Sequence, residues 1–348
     1  MTSLLLTVEA EIPDGWDELA AAAGSFYHRR SWVAGLARCF GFRAQHVVAR
    51  EDGRVTGILP LLEVPALLGP RRLVSLPFSY MAGPLAERGE VRSALLDRAI
   101  EIARDRRIRR LEVKVGVDAG SPRPGYQRSS AYNRYLVDTR EGEQAVWKRL
   151  HASHVQRGIR KSQKSGLIVD DSGTPASWLA MAELQEETSR RLGLPSPPRR
   201  FFVELGAELH GQGLADVLIA RTADGSAVAG ITIWKGGSSW IYGFGASLPA
   251  HWDLRPNHLL LWTALRQAIA AGVSFDLGRA APGQRGLVEF KERWGGVAEP
   301  LAYDYWPEAR GLNVARRDGG PIALANAVWS RLPLAVTRRA AFLYRYLG

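Results

Sequence analysis

Two stretches of the chain share one pattern, and this pattern limits the fold more than any other feature. Residues 47–58 (VVAREDGRVTGI) and 218–231 (LIARTADGSAVAGI) each contain an apolar run ending in Ala-Arg, an Asp-Gly pair, and a second run that includes a glycine. Asp-Gly suits the positive φ angles of a tight hairpin turn. Two unrelated hairpins remain the alternative, but the shared features favour a duplicated hairpin, one in each half of the chain.

Helices and strands are predicted around both hairpins. Trp32, Leu36 and Phe40 follow helical spacing before the first hairpin. Asn257 is expected to cap a helix that ends at Gly272. Further helices are predicted at 91–104, 178–191 and 200–210, and strands at 73–76, 111–115, 239–244 and 273–277. Strands and helices mixed in this order predict an α/β (α+β) protein with mixed sheets flanked by helices.

The 348 residues are enough for two domains. The expected segments are an N-terminal domain at 1–142, a basic connecting helix at 143–166 with a break near Gly158, a C-terminal domain at 167–310, and an amphipathic helical tail at 311–348 interrupted at Pro333. Arginines alternate with apolar residues in the tail, which either packs on a domain or touches a membrane surface.

Composition excludes several classes of protein. A single cysteine, Cys39, rules out an internal disulfide and fits a reducing compartment, so we expect a cytoplasmic protein. No signal peptide or spanning segment is expected. The seven histidines form no metal pattern, and no P-loop or Gly-x-Ser-x-Gly motif occurs. The net charge of +11 favours anionic partners, although a solvated arginine-rich surface has the same composition.

The connecting segment is the clearest anion-binding candidate. It carries Arg157, Arg160, Lys161 and Lys164 with no acidic residue among them. Guanidinium groups bind phosphate with paired donors, and lysines add charge. A solvated helix face usually mixes both signs of charge, so we favour an anion-binding role for these four residues.

A second candidate site lies at the end of the last predicted strand. Asp276 and Arg279 close that strand, and a short loop is expected to deliver Phe290 and Lys291. Strand ends and the loops after them are common positions for functional residues in α/β folds. Lys291 is suited to stabilise an oxyanion, and Asp276 to orient Arg279. The alternative is a structural group of salt bridges.

These stretches together resemble the Fem family of the GNAT acetyltransferase superfamily, the bacterial transferases that add amino acids from aminoacyl-tRNA to peptidoglycan precursors. The sequence is also similar to Fem-like proteins found with exopolysaccharide export systems. The resemblance covers roughly residues 20–305 and implies two tandem GNAT-like domains. The matching stretches are 73–78 (LVSLPF) with Gly83-Pro84, 154–166 (HVQRGIRKSQKSG), 257–262 (NHLLLW), and 275–279 (FDLGR) through Phe290-Lys291.

The resemblance also implies roles for individual residues. It places Phe290 and Lys291 at the acyl-transfer centre and Tyr242 near a phosphorylated acceptor. Arg157 and Arg160 would face phosphate of the donor or acceptor. We count Arg279 and Asn257 among the substrate-binding residues, with Tyr80 as part of the wall that receives the acceptor.

Two departures from the related families bear on the acyl donor. The long helical hairpin of some Fem proteins has no counterpart in this chain. The acetyltransferase pyrophosphate motif, Arg/Gln-x-x-Gly-x-Gly/Ala, is matched only by residues 208–213 (ELHGQG), which lack the leading basic or amide residue. The sequence therefore favours aminoacyl-tRNA over a conventional coenzyme A site.

Three hypotheses follow. The first is an amide-forming transferase that uses aminoacyl-tRNA and an amine of a cell-wall precursor or small molecule. The second is an acyl-CoA-dependent N-acyltransferase of exopolysaccharide or natural-product biosynthesis. The third is a non-catalytic protein that binds anionic glycan precursors or RNA. No bound cofactor or metal is expected, because the activated acyl donor is a co-substrate.

Overall fold

The computed structural model describes residues 4–67, 69–117, 120–307 and 321–348, without the side chains of 321–324. The chain groups into two units. Unit 1 comprises 1–132, 300–315 and 345–348, and unit 2 comprises 133–299 and 316–344. Residues 133–142, which the sequence analysis assigned to the N-terminal domain, therefore group with unit 2. Within the described ranges, no helix is long and apolar enough to cross a membrane.

The described part of unit 1 contains two sheets and three α-helices. The first sheet has the strand order β1-β3-β4-β7, and the second has β15-β8-β6-β5-β2, with β6 and β8 parallel. Its elements are β1 (Leu4–Glu9), α1 (Trp16–Ala23), α2 (Arg30–Phe40), β2 (Arg43–Ala44), β3 (His46–Glu51), β4 (Arg54–Leu59), β5 (Leu62–Val64), β6 (Arg72–Val74), β7 (Leu85–Ala86), α3 (Gly89–Asp105), β8 (Arg110–Gly116), and parts of β9 (Gln127–Val137) and β15 (Val297–Trp306).

Unit 2 contains one sheet of order β10-β11-β12-β13-β14-β9, in which only β13 and β14 are parallel. Its further elements are α4 (Glu143–Arg149), α5 (Arg157–Gln163), β10 (Ile168–Asp170), α6 (Pro175–Arg191), α7 (Ala207–Gly211), β11 (Ala215–Arg221), β12 (Ala227–Trp234), β13 (Ser239–Ser247), α8 (Pro256–Ala270), β14 (Ser274–Ala280), α9 (Arg285–Arg293), α10 (Pro321–Arg331) and α11 (Leu334–Arg339).

Short helices of other types complete the described chain. Phe26–His28, Pro249–Leu254 and Ala340–Leu347 are 3₁₀ helices, and Ala152–Gln156 and Phe201–Gly206 are π-helices. Within its described residues, 321–348, the tail is helical on both sides of Pro333, as the sequence predicts. Residues 311–320 of the predicted tail lie outside the described residues. The predicted α/β class, with mixed sheets flanked by helices, is confirmed.

Each unit has its own apolar core. In unit 1 the buried face of α3, including Val91, Leu95 and Ala99, packs on the sheets. In unit 2, Leu261 and Leu265 of α8 are buried in the cluster that surrounds the sheet. Full burial of a leucine side chain contributes about 1.5–3 kcal/mol, so these periodic positions supply much of the energy that fixes the helices on the sheets.

Both predicted hairpins form, but their turns differ. In the first, Asp52 and Gly53 have φ angles of 50° and 80°, which is the geometry of a tight two-residue turn. In the second, residues 222–226 form a longer loop, closed by the bond from Thr222 N–H to the Ser226 carbonyl. Gly225 has a φ of 87°, so the Asp-Gly pair turns the chain there within a five-residue connection.

The sequence placed two helix boundaries wrongly. The connecting helix breaks at Leu150, whose ψ is 136°, and not at Gly158. Gly158 instead permits close packing, because a Cβ there would lie 2.4 Å from the ring of His258. Helix α8 begins at Pro256, whose fixed φ suits a first helical turn, so Asn257 lies inside the helix and does not cap it.

Gly206 provides a test of close packing in unit 2. A Cβ at this residue would lie 2.5 Å from two ring atoms of the fully buried Trp178. We expect Gly206→Ala to destabilise the protein by about 1–3 kcal/mol. Thermal unfolding should register this as a fall in Tm of roughly 2–4 °C per kcal/mol.

Gly211→Ala is the matched control in the same helical segment, because a Cβ there has nothing within 4 Å. Alanine is the better helix former, so this variant should keep or slightly raise the Tm. Equal destabilisation by both substitutions would contradict the packing argument.

Candidate active site

The candidate site is built where two parallel strands separate. Strands β13 and β14 pair only through Ser239–Ser274, Trp240–Phe275 and Ile241–Asp276. Farther along, β14 pairs with β9 on its other side, through Arg279 and Ala280. The ladder between β13 and β14 therefore ends before Tyr242 and Leu277, and their backbone groups border a wedge-shaped gap.

Lys291 reaches this gap from α9. Its side chain is 3% exposed, and Nζ donates a hydrogen bond to the Leu277 carbonyl. A Cβ at Gly278, whose φ is 81°, would lie 3.6 Å from Lys291 Nζ and 3.6 Å from the Tyr242 carbonyl oxygen. The ammonium group thus lies at the point where the strands diverge. Phe290 and Lys291 lie on helix α9, so the prediction that a loop carries them is wrong.

Burial changes the acid–base behaviour of Lys291. Desolvation lowers its pKa to about 8, and the nearby negative charge of Asp276 opposes that shift. The amine is still mostly protonated at pH 7. In that state it can donate hydrogen bonds to negative charge that develops on a bound carbonyl oxygen.

Asp276 fixes the backbone beside Lys291. It is fully buried, and one carboxylate oxygen accepts a 2.8 Å hydrogen bond from the Gly278 N–H. The other lies 3.9 Å from Nη1 of Arg134, whose Nε donates to Glu299 at 2.6 Å. Asp276 therefore holds the left-handed turn at Gly278 and partly balances the buried ammonium. From the sequence, Asp276 was predicted to orient Arg279, but Arg134 is the arginine that lies beside the Asp276 carboxylate.

Arg279 points to the surface. It is exposed, and its positive charge opposes the rise that burial causes in the pKa of Tyr344. Phe290 is partly buried against the core and lies 6.3 Å from the ring of Trp294. Phe290 thus packs α9 onto the sheet and helps to hold Lys291 in place.

Tyr242 occupies the first position of β13 beyond the paired segment. Burial raises the pKa of its hydroxyl to about 12, so the group stays protonated at neutral pH and can donate a hydrogen bond. A Cβ at Gly245 would lie 1.8 Å from this hydroxyl oxygen. Glycine at 245 therefore provides the space that the Tyr242 side chain occupies.

Aromatic rings line the next part of the strand. Phe244 packs edge-on against Phe201 at 5.5 Å and Phe202 at 5.3 Å, and its N–H donates to the Thr232 hydroxyl at 2.9 Å. Buried aromatic pairs of this kind hold a rigid wall.

Asn257 has a structural contact in this unit. Its side-chain amide donates to the Ser247 hydroxyl at 3.0 Å. The segment between β13 and α8, residues 248–255 (LPAHWDLR), follows a strand and precedes a helix, but it contains no glycine. Residues 208–213 lie at the end of α7 and lead into β11. Neither segment combines the expected position with the acetyltransferase pyrophosphate motif.

The basic residues of the connecting segment share an exposed surface. Arg157, Arg160, Lys161 and Lys164 are all exposed, and none forms an ion pair with a described residue. The Arg160 guanidinium lies over the ring of Trp147, 5.3 Å from its centroid. These cations remain available to an anionic partner.

Tyr80 belongs to unit 1, where it is buried and meets the ring of Tyr27 edge-on at 5.1 Å. The loop before it contains two non-glycine residues with left-handed backbones, Leu76 (φ 58°) and Phe78 (φ 60°). Lys114, 4% exposed, donates to the Leu76 carbonyl at 2.9 Å and stabilises this strained loop.

Strand β9 contributes two residues to the site that were not predicted from the sequence. Tyr135 lies with its ring centroid 6.0 Å from Lys291 Nζ, and Arg134 approaches Asp276. The alternation in Tyr132-Asn133-Arg134-Tyr135-Leu136-Val137 was the available signal for this strand. Among the described residues, no group of three or more His, Cys, Asp or Glu side chains could hold a metal ion.

Comparisons with known proteins agree with this geometry. Residues 149–292 match the family model described as acetyltransferase (GNAT) domain. No curated protein sequence matches the chain. The fold is similar to a crystal structure of FemX, with a TM-score of 0.68 and 18% identity over 86% of this chain and 96% of that one.

Two further solved structures are similar over most of their length. One is a tandem GNAT protein from the clavulanic acid biosynthesis pathway, with a TM-score of 0.53, 16% identity, and coverage of 88% of this chain and 99% of that one. The other is L-PGS from Bacillus licheniformis, with a TM-score of 0.57, 13% identity, and coverage of 93% and 99%.

The second unit therefore contains a GNAT domain, and the protein is an acyltransferase. Its fold is Fem-like, as the sequence motifs indicated. The fold uses an activated acyl donor as co-substrate, either acyl-CoA or aminoacyl-tRNA, together with an amine acceptor. These findings favour the two enzymatic hypotheses over the non-catalytic one.

The pKa of Lys291 is directly testable. In NMR spectra of lysine-labelled protein, we expect one of the six lysines to titrate near pH 8, because burial disfavours its charged form. Reference lysines titrate at about 10.4. Since the folded-state pKa is lowered, stability should rise as the pH increases from about 8 towards the unfolded value.

Lys291→Met should remove that signal, and Lys235→Met, which loses the ion pair with Asp216, should leave it in place. A wild-type spectrum in which every lysine titrates near the reference value would contradict the burial of the Lys291 ammonium group.

Proposed function

We propose that the protein forms amide bonds by transferring an aminoacyl group from aminoacyl-tRNA to an amine of a cell-wall precursor or a small molecule. The observation that carries this proposal is the buried ammonium of Lys291 at the divergence of β13 and β14, in a unit whose connecting segment exposes four cations that form no ion pair with a described residue. The first feature suits acyl transfer, and the second suits a polyanionic donor.

The proposed reaction begins with a neutral amine that attacks the ester carbonyl of the donor. A C–N bond forms, and negative charge collects on the carbonyl oxygen, where Lys291 donates a hydrogen bond. The intermediate then breaks the C–O bond, and the leaving ribose oxygen takes up the proton that the amine loses. Tyr242 acts as a hydrogen-bond donor and not as a base, because burial raises its pKa to about 12.

Asp276 acts through the backbone in this scheme. It holds Gly278 and limits the fall in the pKa of Lys291, so the ammonium remains charged at neutral pH. Arg279 and Asn257 are proposed to bind substrate, and Phe290 to keep α9 in place. Tyr80 is proposed as a further substrate-binding residue.

Arg157, Arg160, Lys161 and Lys164 are proposed to bind phosphates of the tRNA donor. Their exposure and the lack of acidic partners among the described residues support this role. The absence of glycine from residues 248–255 supports the same donor, since a backbone loop around a pyrophosphate group needs glycine for close approach.

Acyl-CoA is the second candidate donor. The match of residues 149–292 to the GNAT domain model favours it. An acceptor in exopolysaccharide or natural-product biosynthesis would then fit the same centre.

The tail is proposed to make peripheral contact with the inner face of a membrane in the cytoplasm. Its described apolar side chains Val328, Val336 and Phe342 are 53%, 46% and 62% exposed. Exposed arginines accompany them, at 331, 338 and 339. An apolar and basic surface of this kind is attracted to anionic lipid.

Reversing charge on the connecting segment tests the tRNA donor. In the triple variant Arg157→Glu, Lys161→Glu, Lys164→Glu, we expect the KM for charged tRNA to rise at least about tenfold with little change in kcat. The slope of log affinity against log salt concentration should become shallower by about two to three units, because three phosphate contacts are lost. Steady-state transfer assays at several salt concentrations measure both effects.

A matched control reverses three exposed arginines of unit 1, at Arg92, Arg104 and Arg109. It carries the same change in net charge and should keep the wild-type KM. Turnover that survives RNase and is supported by acyl-CoA would instead establish the second candidate donor.

Lys291→Met tests the transfer centre with whichever donor is active. Loss of one oxyanion donor costs about 10²–10³ in kcat, and the KM for the donor should change little. The activity of the wild type should fall as the pH rises through about 8, because Lys291 loses its proton there.

Lys235→Met is the control and should keep full activity, since Lys235 pairs with Asp216 and packs on Trp240 outside the centre. Wild-type kcat in Lys291→Met would remove Lys291 from the mechanism.

A further inference from the structure

Unit 2 contains a cavity that the transfer mechanism does not use. It has a volume of about 220 Å³ and lies between the last turn of α6, the end of β13 and α10. Its lining includes Glu187, Arg190, Arg191, Ser247, Leu248 and Pro249. Ser247 is five residues beyond Tyr242 on the same strand, or roughly 16 Å at the usual rise of a strand.

The two arginines of the cavity differ in their partners. Arg190 donates to Glu187 at 3.1 Å and to the Ser330 carbonyl at 3.2 Å. Arg191 lies over the ring of Trp252, 5.0 Å from its centroid, and forms no ion pair or hydrogen bond with a described carboxylate or carbonyl. Glu187 and Arg190 offset each other, so the lining keeps one positive charge, that of Arg191.

Ser247 adds a neutral donor to the same wall. Its side chain is 95% buried, since it is 5% exposed. The hydroxyl oxygen accepts hydrogen bonds from Trp252 Nε1 at 2.9 Å and Asn257 Nδ2 at 3.0 Å, which use both lone pairs. The hydroxyl hydrogen has no acceptor among the described residues. Trp252 thus places both donors, because it binds Ser247 with its N–H and Arg191 with its ring.

We propose that this cavity binds the carboxylate group of a small organic ligand. One unbalanced positive charge matches a monoanion, and the planar guanidinium of Arg191 can hold both oxygens of a carboxylate while Ser247 donates to one of them. Glu187 repels a dianionic phosphate more strongly than a carboxylate.

The remaining lining and the size of the cavity limit the ligand further. Leu248 and Pro249 offer an apolar surface to the carbon chain of the ligand. At about 30 Å³ per water, the cavity holds roughly seven water-sized volumes. It therefore suits a short chain of a few carbons with a terminal carboxylate.

Binding can be measured by calorimetric titration of the full chain with butyrate, a monocarboxylate, so neither the acyl donor nor the acceptor has to be known. Butyrate should bind in the millimolar range and more tightly than inorganic phosphate. Arg191→Ala should weaken binding by about tenfold to a hundredfold, since hydrogen bonds to a charged group are lost. Arg191→Lys should recover part of the affinity, because lysine keeps the charge but cannot donate as a planar pair.

Arg339→Ala removes an exposed arginine outside the cavity and should leave butyrate affinity unchanged. Arg191 is exposed, so its variants should keep the wild-type Tm. Three results would overturn the proposal: no saturable binding of butyrate, equal affinity in wild type and Arg191→Ala, or tighter binding of phosphate than of butyrate.

Discussion

The second unit depends on burying one ammonium group in a gap of its sheet. A charged amine in an apolar interior is costly unless its hydrogen bonds are satisfied and its charge is partly balanced. Lys291 meets both conditions, through the Leu277 carbonyl and the nearby carboxylate of Asp276. The remaining cost appears as a lowered pKa. Burial keeps the ammonium group away from water and brings its pKa closer to neutral pH. Both properties are useful for a catalytic cation.

This arrangement requires the sheet to open. Strands β13 and β14 stop pairing after Ile241 and Asp276, and Gly278 adopts a left-handed backbone that the Asp276 carboxylate holds. On the opposite strand, Gly245 leaves room for the Tyr242 hydroxyl. The two glycines thus have different roles. Gly278 permits a left-handed backbone conformation, and Gly245 leaves space for the Tyr242 side chain.

The two units share a hairpin but not their buried lysines. In unit 1, Lys114 lies on strand β8 and donates to the Leu76 carbonyl of a strained loop. In unit 2, Lys291 lies on helix α9. Each lysine stabilises a backbone carbonyl of a leucine, yet the elements that carry them do not correspond. The duplication therefore extends to the supporting strands, while the residues suited to chemistry are individual to each unit.

The sequence by itself determined the fold class, both hairpins and the described tail helices, because periodic apolar residues and Asp-Gly turns act over short distances. It misplaced the break in the connecting helix, which falls at Leu150, and the start of α8, where the fixed φ of Pro256 suits the first helical turn. It also missed Tyr135 and Arg134, which approach Lys291 and Asp276 from a strand about 140 residues earlier in the chain. Only tertiary structure decided those contacts and the pKa of Lys291, since burial and pairing across a sheet depend on residues far apart in sequence.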